Sequence, residues 1–113
     1  MAIHPTAIVD ADARLAADVE VGPWSIIEGD VTIDAGTRIA SGVRIYAGTR
    51  IGRDNRIDHG CVLGCEPQDL GFDAATRSHL EIGDGNHFRE GFNASRGSKA
   101  GSATRIGSHN YFM

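Results

Sequence analysis

The sequence contains few of the residues that would place it in several large classes of protein. It has two cysteines, Cys61 and Cys65, whose spacing provides neither a disulfide framework nor a complete metal site. We therefore expect reduced thiols and no bound metal. Aromatic residues make up 6% of the 113 residues, and no apolar run approaches the roughly 20 residues of a membrane span. A chain that crosses a membrane is not expected.

Positive charge is also scarce. The formal net charge is -4, and the 11 Lys and Arg residues are scattered among 15 Asp and Glu residues. Because no basic stripe is present, nucleic acid is excluded as an expected partner. The opening segment MAIHPTAIVD lacks the charged and apolar blocks of a signal peptide. We expect a single domain over residues 1–113, located in the cytoplasm.

Aliphatic residues, by contrast, recur at every sixth position. A period of six fits neither the 3.6-residue period of a helix nor an uninterrupted strand, but a short strand followed by a tight corner satisfies it. The eleven anchors are Ile3, Val9, Leu15, Val21, Ile27, Ile33, Ile39, Ile45, Ile51, Ile57 and Leu63.

The fourth residue after each anchor is mostly small or β-branched and is predicted to be a second interior position. One bulky residue per strand would bury little in a flat sheet, so the chain must wind to stack its anchors. We predict an all-β fold, a left-handed parallel β-helix of hexapeptide repeats with three sides per turn. Residues 18 apart, such as Ile3, Val21, Ile39 and Ile57, then form one column. The second interior positions are Ala7, Ala13, Val19, Ser25, Val31, Thr37, Val43, Thr49, Asn55 and Cys61.

Arginines at positions 38, 44, 50 and 56 also recur every six residues. Residues six apart lie on different sides of the coil, so we expect a solvated face of mixed charge rather than a ladder that binds anions.

Two segments interrupt the period. The next anchor after Leu63 is Asp69, whose carboxylate cannot occupy an apolar column without a partner. We predict that residues 64–80 leave the coil as a loop, that the period resumes at Ile82, and that a second insertion spans 95–105. Loops on repeat scaffolds often carry recognition groups, so the first loop is the candidate functional segment.

Six segments carry a resemblance to a known family: HPTA at 4–7, IGRDNRI at 51–57, QDL at 68–70, EIGDGN at 81–86, RG at 96–97 and IGSHN at 106–110. Together they resemble the UDP-N-acetylglucosamine O-acyltransferases of lipid A biosynthesis. The resemblance implies transfer of a β-hydroxyacyl chain from an acyl carrier protein thioester to a sugar hydroxyl, in a homotrimer with active sites between neighbouring solenoids, and no cofactor besides that donor.

The resemblance assigns contact with the nucleotide sugar to Gln68 and Asp69, the carboxylate accepting hydrogen bonds from sugar hydroxyls. Gly71 departs from the family, which usually has a lysine there. The matching catalytic histidine lies beyond Met113, so no catalytic residue is assigned, and we expect the 113 residues alone to be inactive. A sugar hydroxyl needs a base of near-neutral pKa to attack a thioester.

Three alternatives remain open. The scaffold could serve another acyl- or acetyltransferase that acts on a nucleotide sugar, with acyl carrier protein or coenzyme A as donor. A zinc enzyme of the γ-carbonic-anhydrase type would need converging histidines, for which the spacing gives no signature. A solenoid that only self-associates is the third. Among the five histidines, His79 in the first loop is the best candidate for a ligand contact, and the others are expected to be corner or surface residues.

Overall fold

The structure is a computed structural model that describes residues 2–113, and every regular element in that range is a β-strand. Most strands have two residues, as expected for short strands separated by corners. The strands are β1 Ala2–Ile3, β2 Ile8–Val9, β3 Arg14–Leu15, β4 Glu20–Val21, β5 Ile26–Ile27, β6 Thr32–Ile33, β7 Arg38–Ile39, β8 Arg44–Ile45, β9 Thr49–Ile51, β10 Arg56–Ile57, β11 Val62–Cys65, β12 His79–Ile82, β13 His87–Phe88, β14 Asn93–Ser95, β15 Ala103–Ile106 and β16 Tyr111–Phe112.

The strands form three parallel sheets, each of which takes every third strand. Sheet A has the order β1-β4-β7-β10-β13-β16, sheet B β14-β11-β8-β5-β2, and sheet C β15-β12-β9-β6-β3. Ile3 pairs with Val21, and Val21 pairs with Ile39, as the 18-residue spacing predicts. The predicted parallel β-helix with three sides per turn is therefore confirmed.

The anchors form the apolar interior of the coil. Ile27, Ile45 and Ile57 are at most 1% exposed, and Phe88 continues the column at 0%. Ile3 is 39% exposed because the first coil has a neighbouring coil on one side only. Stacking of successive coils thus buries side chains that a single coil leaves exposed.

Three polar residues at the second interior positions, Ser25, Thr37 and Asn55, link successive coils by one repeated pattern. Thr37 Oγ1 donates to the carbonyl oxygen of Gly52 at 2.8 Å and accepts the backbone N–H of Asn55 at 3.2 Å. Asn55 in turn donates to the carbonyl oxygen of Gly83 and accepts the backbone N–H of Asn86. Each such side chain satisfies two backbone groups of the next coil, so these buried polar groups remain hydrogen-bonded.

Asn86 repeats the pattern one coil further along. Its Nδ2 donates to the carbonyl oxygen of Gly107 at 2.8 Å, and its Oδ1 accepts the backbone N–H of Asn110 at 2.9 Å. Asn86 Nδ2 also donates to Asn55 Oδ1 at 3.0 Å. The stacked amides form a ladder, which we call the asparagine ladder: Asn55, Asn86 and Asn110.

The two insertions are shorter than the predicted 64–80 and 95–105. The structure places residues 66–78 between β11 and β12, and residues 96–102 between β14 and β15. Leu80 is 0% exposed, and Cys65 pairs with Ser95, so the flanking residues remain in strands. The strands gain hydrogen bonds by extending into each insertion. Residues 66–78 are called the first loop below, and residues 96–102 the second loop.

Candidate functional site

Local turns shape the first loop. Asp69 Oδ1 accepts the backbone N–H of Gly71 at 2.9 Å, and the Asp69 carbonyl accepts the N–H of Phe72 at 3.0 Å. Asp73 repeats the side-chain turn, because its Oδ1 accepts the N–H of Ala75 at 2.9 Å. Aspartates favour such turns since their short side chains reach the backbone two residues on. The loop therefore has a defined shape at both aspartates.

The first loop is held against the second loop by hydrogen bonds between them. The N–H of Gly101 donates to the carbonyl of Arg77 at 2.9 Å, and the Arg96 side chain donates from Nη2 to the carbonyl of Ala74 at 3.4 Å. The buried Ser78 hydroxyl donates to the carbonyl of Gly97. The two insertions consequently form one surface feature on the corner between sheets B and C.

A groove lies on each side of the first loop, and the two share Tyr46 and Arg96. The first groove is also lined by Arg77 and His79, together with the acidic residues Glu28 and Asp30 and with Ala47, Gly48, Ala74, Ala75, Thr76 and Ser78. The second groove is also lined by Gln68, with Val62, Cys65, Glu66 and Asn93. The two grooves therefore meet at Tyr46 and Arg96.

The carboxylates of the first groove already have cationic partners. Glu28 Oε2 lies 2.6 Å from Arg44 Nη2, and Asp30 Oδ1 lies 2.7 Å from Arg50 Nη2. The hydrogen bond to Glu28 raises the pKa of Arg44, whose guanidinium also lies 4.7 Å from the centre of the Tyr46 ring. These pairs agree with the predicted mixed-charge face.

The structure places Gln68 and Asp69 side by side on the exposed first loop. Gln68 lines the second groove, whereas Asp69 lies at the loop surface beside the fully exposed Leu70. One Asp69 oxygen accepts the Gly71 N–H, and the other has no partner among residues 2–113. A carboxylate oxygen and an amide thus remain available to hydroxyl groups of a ligand.

His79 lies at the start of β12 and not in the first loop, where the sequence analysis placed it. Its Nδ1 is 3.3 Å from the carbonyl oxygen of Gly48. The ring is partly buried at the edge of the first groove. The strand begins two residues earlier than predicted because His79 pairs with Ala103 across sheet C.

His87 has a carboxylate partner that sequence reasoning missed. Its Nε2 lies 2.9 Å from Asp58 Oδ2, and Arg56 and Arg89 contact the same carboxylate at 3.2 and 3.3 Å. Burial alone would raise the pKa of Asp58, but the hydrogen bond from His87 and the nearby positive charges outweigh it and lower that pKa. This cluster is on sheet A, apart from both grooves.

Both cysteines are free thiols, as predicted. Cys61 is fully buried, and burial raises the pKa of its thiol, which makes it a poor nucleophile. Cys65 Sγ lies 3.1 Å from Asn93 Oδ1 at the edge of the second groove.

Two further surveys cover the described part of the chain. Within residues 2–113, no group of three or more His, Cys, Asp or Glu side chains is placed to hold a metal ion. The same range contains no helix long and apolar enough to cross a membrane.

Comparison with known families and curated proteins supports the repeat. Residues 12–47 match the family described as bacterial transferase hexapeptide (six repeats). A relative from Syntrophobacter fumaroxidans, named acyl-(acyl-carrier-protein)–UDP-N-acetylglucosamine O-acyltransferase, is 44% identical over 100% of this chain and 44% of its own length. One of the same name from a Sulfurovum species is 52% identical over 99% of this chain and 43% of its own length. The chain therefore spans less than half the length of the curated relatives it matches.

Solved structures agree with the sequence matches. UDP-N-acetylglucosamine O-acyltransferase from Moraxella catarrhalis aligns with a TM-score of 0.92 and 39% identity, over 100% of this chain and 44% of that one. The Acinetobacter baumannii enzyme aligns with a TM-score of 0.90 and 42% identity, over 96% of this chain and 42% of that one.

Fold and repeat together define a hexapeptide-repeat protein with a left-handed parallel β-helix. Within that class, the chain is similar over nearly its whole length to part of the UDP-N-acetylglucosamine O-acyltransferases. The resemblance drawn from the sequence motifs is thereby confirmed.

Proposed function

We propose that this chain forms the acceptor-binding part of an acyl-carrier-protein-dependent UDP-N-acetylglucosamine O-acyltransferase that acts in lipid A biosynthesis. The names of its relatives support this acceptor and this donor. The acyl group arrives as a thioester on acyl carrier protein, and no other cofactor takes part. The protein works in the cytoplasm as a homotrimer.

The position of the Gln68-Asp69 pair carries the proposal. Both residues are exposed on a loop that contains defined turns, and one Asp69 oxygen is unused within the described chain. Carboxylates accept hydrogen bonds from hydroxyl groups strongly, and an amide both donates and accepts. These are the groups that a sugar requires. Because Asp69 lies at the loop surface next to Gln68, which lines the second groove, we assign the sugar to the outer end of that groove, on the side that faces a neighbouring solenoid of the trimer.

No histidine in the chain corresponds to the family's catalytic base. His79 is the histidine nearest the candidate site, but its Nδ1 lies beside the Gly48 carbonyl. His87 interacts with Asp58 on another side of the coil. An unactivated hydroxyl attacks a thioester slowly. We therefore expect the 113 residues alone to bind the nucleotide sugar without transferring an acyl chain.

Calorimetric titration with UDP-N-acetylglucosamine tests the binding role. Asp69→Asn keeps an oxygen for the Gly71 N–H but removes the charge, and we expect it to weaken binding by about tenfold or more. Asp73→Asn is a matched control, because Asp73 makes the same turn in the same loop. Equal affinity of the wild type and the Asp69→Asn variant would contradict the assignment.

The alternative donor can be tested with the same protein. If coenzyme A thioesters raise the melting temperature and acyl carrier protein thioesters do not, the chain belongs to an acetyltransferase-type reaction instead. Light scattering that detects assembly, together with no ligand binding, would favour the solenoid that only self-associates.

A further inference from the structure

Arg96 lies where the two grooves meet. It lines both of them, with Gln68 in one and Arg77 in the other. Its backbone N–H donates to the Cys65 carbonyl at 2.9 Å, so β11 fixes the position of its backbone. A side chain at this point is within the reach of any ligand that spans both grooves.

The guanidinium of Arg96 is positioned by neutral groups. It lies 5.1 Å from the centre of the Phe72 ring and donates from Nη2 to the Ala74 carbonyl at 3.4 Å. Stacking on an aromatic ring and a single carbonyl contact leave most of its five N–H donors unused. The first loop therefore orients the guanidinium without neutralising its charge.

In the first groove, the acidic residues have cationic partners, but the arginines have no acidic partner within the described chain. Glu28 and Asp30 are paired with Arg44 and Arg50, as described above. Among residues 2–113, no ion pair involves Arg77 or Arg96. Arg96 is partly buried and Arg77 is exposed, and a cleft with unpaired cations and paired carboxylates favours an anionic ligand.

We infer that Arg96 binds the diphosphate of the nucleotide sugar whose sugar ring is contacted by Gln68 and Asp69. This assignment rests on the proposed function and adds a phosphate contact to it. A planar guanidinium donates two parallel hydrogen bonds to phosphate oxygens, which suits a diphosphate. The ligand then extends from Gln68 past Arg96 toward Arg77, and the nucleoside lies in the first groove.

The test compares three probes: UDP-N-acetylglucosamine, UDP and inorganic pyrophosphate. Titrations use the wild type and the Arg96→Gln, Arg96→Lys and Asp69→Asn variants. Arg96→Gln is expected to weaken binding of all three by about ten- to a hundredfold. Asp69→Asn is expected to weaken only the probe that carries the sugar. Arg53→Gln is the control, because Arg53 is exposed and lines neither groove.

Two readouts separate a phosphate contact from a role in holding the loop. Arg96→Lys retains the charge but loses the planar stack, so it should keep more UDP affinity than Arg96→Gln does. The affinity of the wild type for UDP should fall with added salt, and Arg96→Gln should flatten that dependence.

If Arg96→Gln binds UDP as the wild type does, the assignment of Arg96 is wrong, and the proposed function stands if Asp69→Asn still loses the nucleotide sugar. If Arg96→Lys is as weak as Arg96→Gln and the salt dependence is unchanged, Arg96 only supports the loop. If the wild type does not bind the nucleotide sugar, the proposed function fails together with this assignment.

Discussion

Replacing Asn55 by valine removes a side chain that connects two coils. Asn55 is 1% exposed, and its side chain makes four hydrogen bonds. Its Nδ2 donates to the carbonyls of Gly83 at 2.8 Å and Arg53 at 3.3 Å, and its Oδ1 accepts the backbone N–H and Nδ2 of Asn86 at 2.9 and 3.0 Å. Valine leaves the backbone N–H of Asn86 buried without an acceptor. It also removes one partner of the Asn86 amide.

The expected cost follows from these contacts. A buried donor without a partner costs about 1–3 kcal/mol, and each hydrogen bond lost contributes roughly 1 kcal/mol, partly offset by burial of the apolar valine. We expect Asn55→Val to lower the free energy of unfolding by about 2–4 kcal/mol. Since domains are stable by about 5–15 kcal/mol, the change is large enough to measure.

Threonine at the same position provides the matched control. Thr37 occupies the equivalent place one coil earlier, where its hydroxyl makes both backbone contacts. Threonine and valine have nearly the same shape. The difference in the free energy of unfolding between Asn55→Thr and Asn55→Val therefore reports hydrogen bonding rather than packing. We expect Asn55→Thr to cost about 1 kcal/mol or less. Urea denaturation followed by circular dichroism measures the free energy of unfolding of both variants. Equal values would refute the stabilising role of the asparagine ladder.

Two further predictions concern charge and backbone packing. Because the pKa of Asp58 is lowered in the folded protein, its ionised form stabilises the fold above the unfolded value of about 3.9, and this contribution is lost as the pH falls through the lower folded value. Asp58→Asn should therefore be less stable than the wild type at pH 7, with the gap closing below about pH 4 in denaturation measured across pH. Gly22→Ala should lower stability by about 1–3 kcal/mol, because its Cβ would lie 2.7 Å from the backbone of Ala40.

Each of these two predictions has one outcome that would contradict it. A stability gap between the wild type and Asp58→Asn that stays constant from pH 7 to acid would exclude the ionised carboxylate as its source. For the glycine, the matched control is Gly71→Ala, whose Cβ meets only Asp69 Oδ1 at 3.5 Å. Equal melting temperatures of the two alanine variants would show that the close approach to Ala40 can relax.

The period of six predicted the coil, because one inward side chain per strand is a direct consequence of the geometry. Register followed from the same count, and Ile39 pairs with Ile57 as an 18-residue turn requires. The loop ends were harder to place. Local pattern does not reveal that Cys65 and His79 gain strand partners across the coil, so the pattern predicts both insertions to be longer than they are.

The candidate site was only partly accessible from sequence. Gln68 and Asp69 were identified by their motif, and their contacts with a sugar remain a prediction. The pairing of His87 with Asp58 was hidden because the first loop separates strands that would otherwise be 18 residues apart. Counting 31 residues between paired anchors such as Ile57 and Phe88 places His87 beside Arg56, two residues from Asp58, but that count needs the loop ends.

The first loop leaves the coil at a register shift between Leu63 and Cys65, and regular pairing resumes in the strand that follows the loop. Ile51 still pairs with Ile82, although the loop lies between them in the chain. Its tip at Leu70 is fully exposed. A foreign peptide or reporter spliced in at this tip should thus be displayed at a fixed location while the underlying scaffold keeps its shape. The tip of the first loop is therefore a suitable site for inserting a peptide.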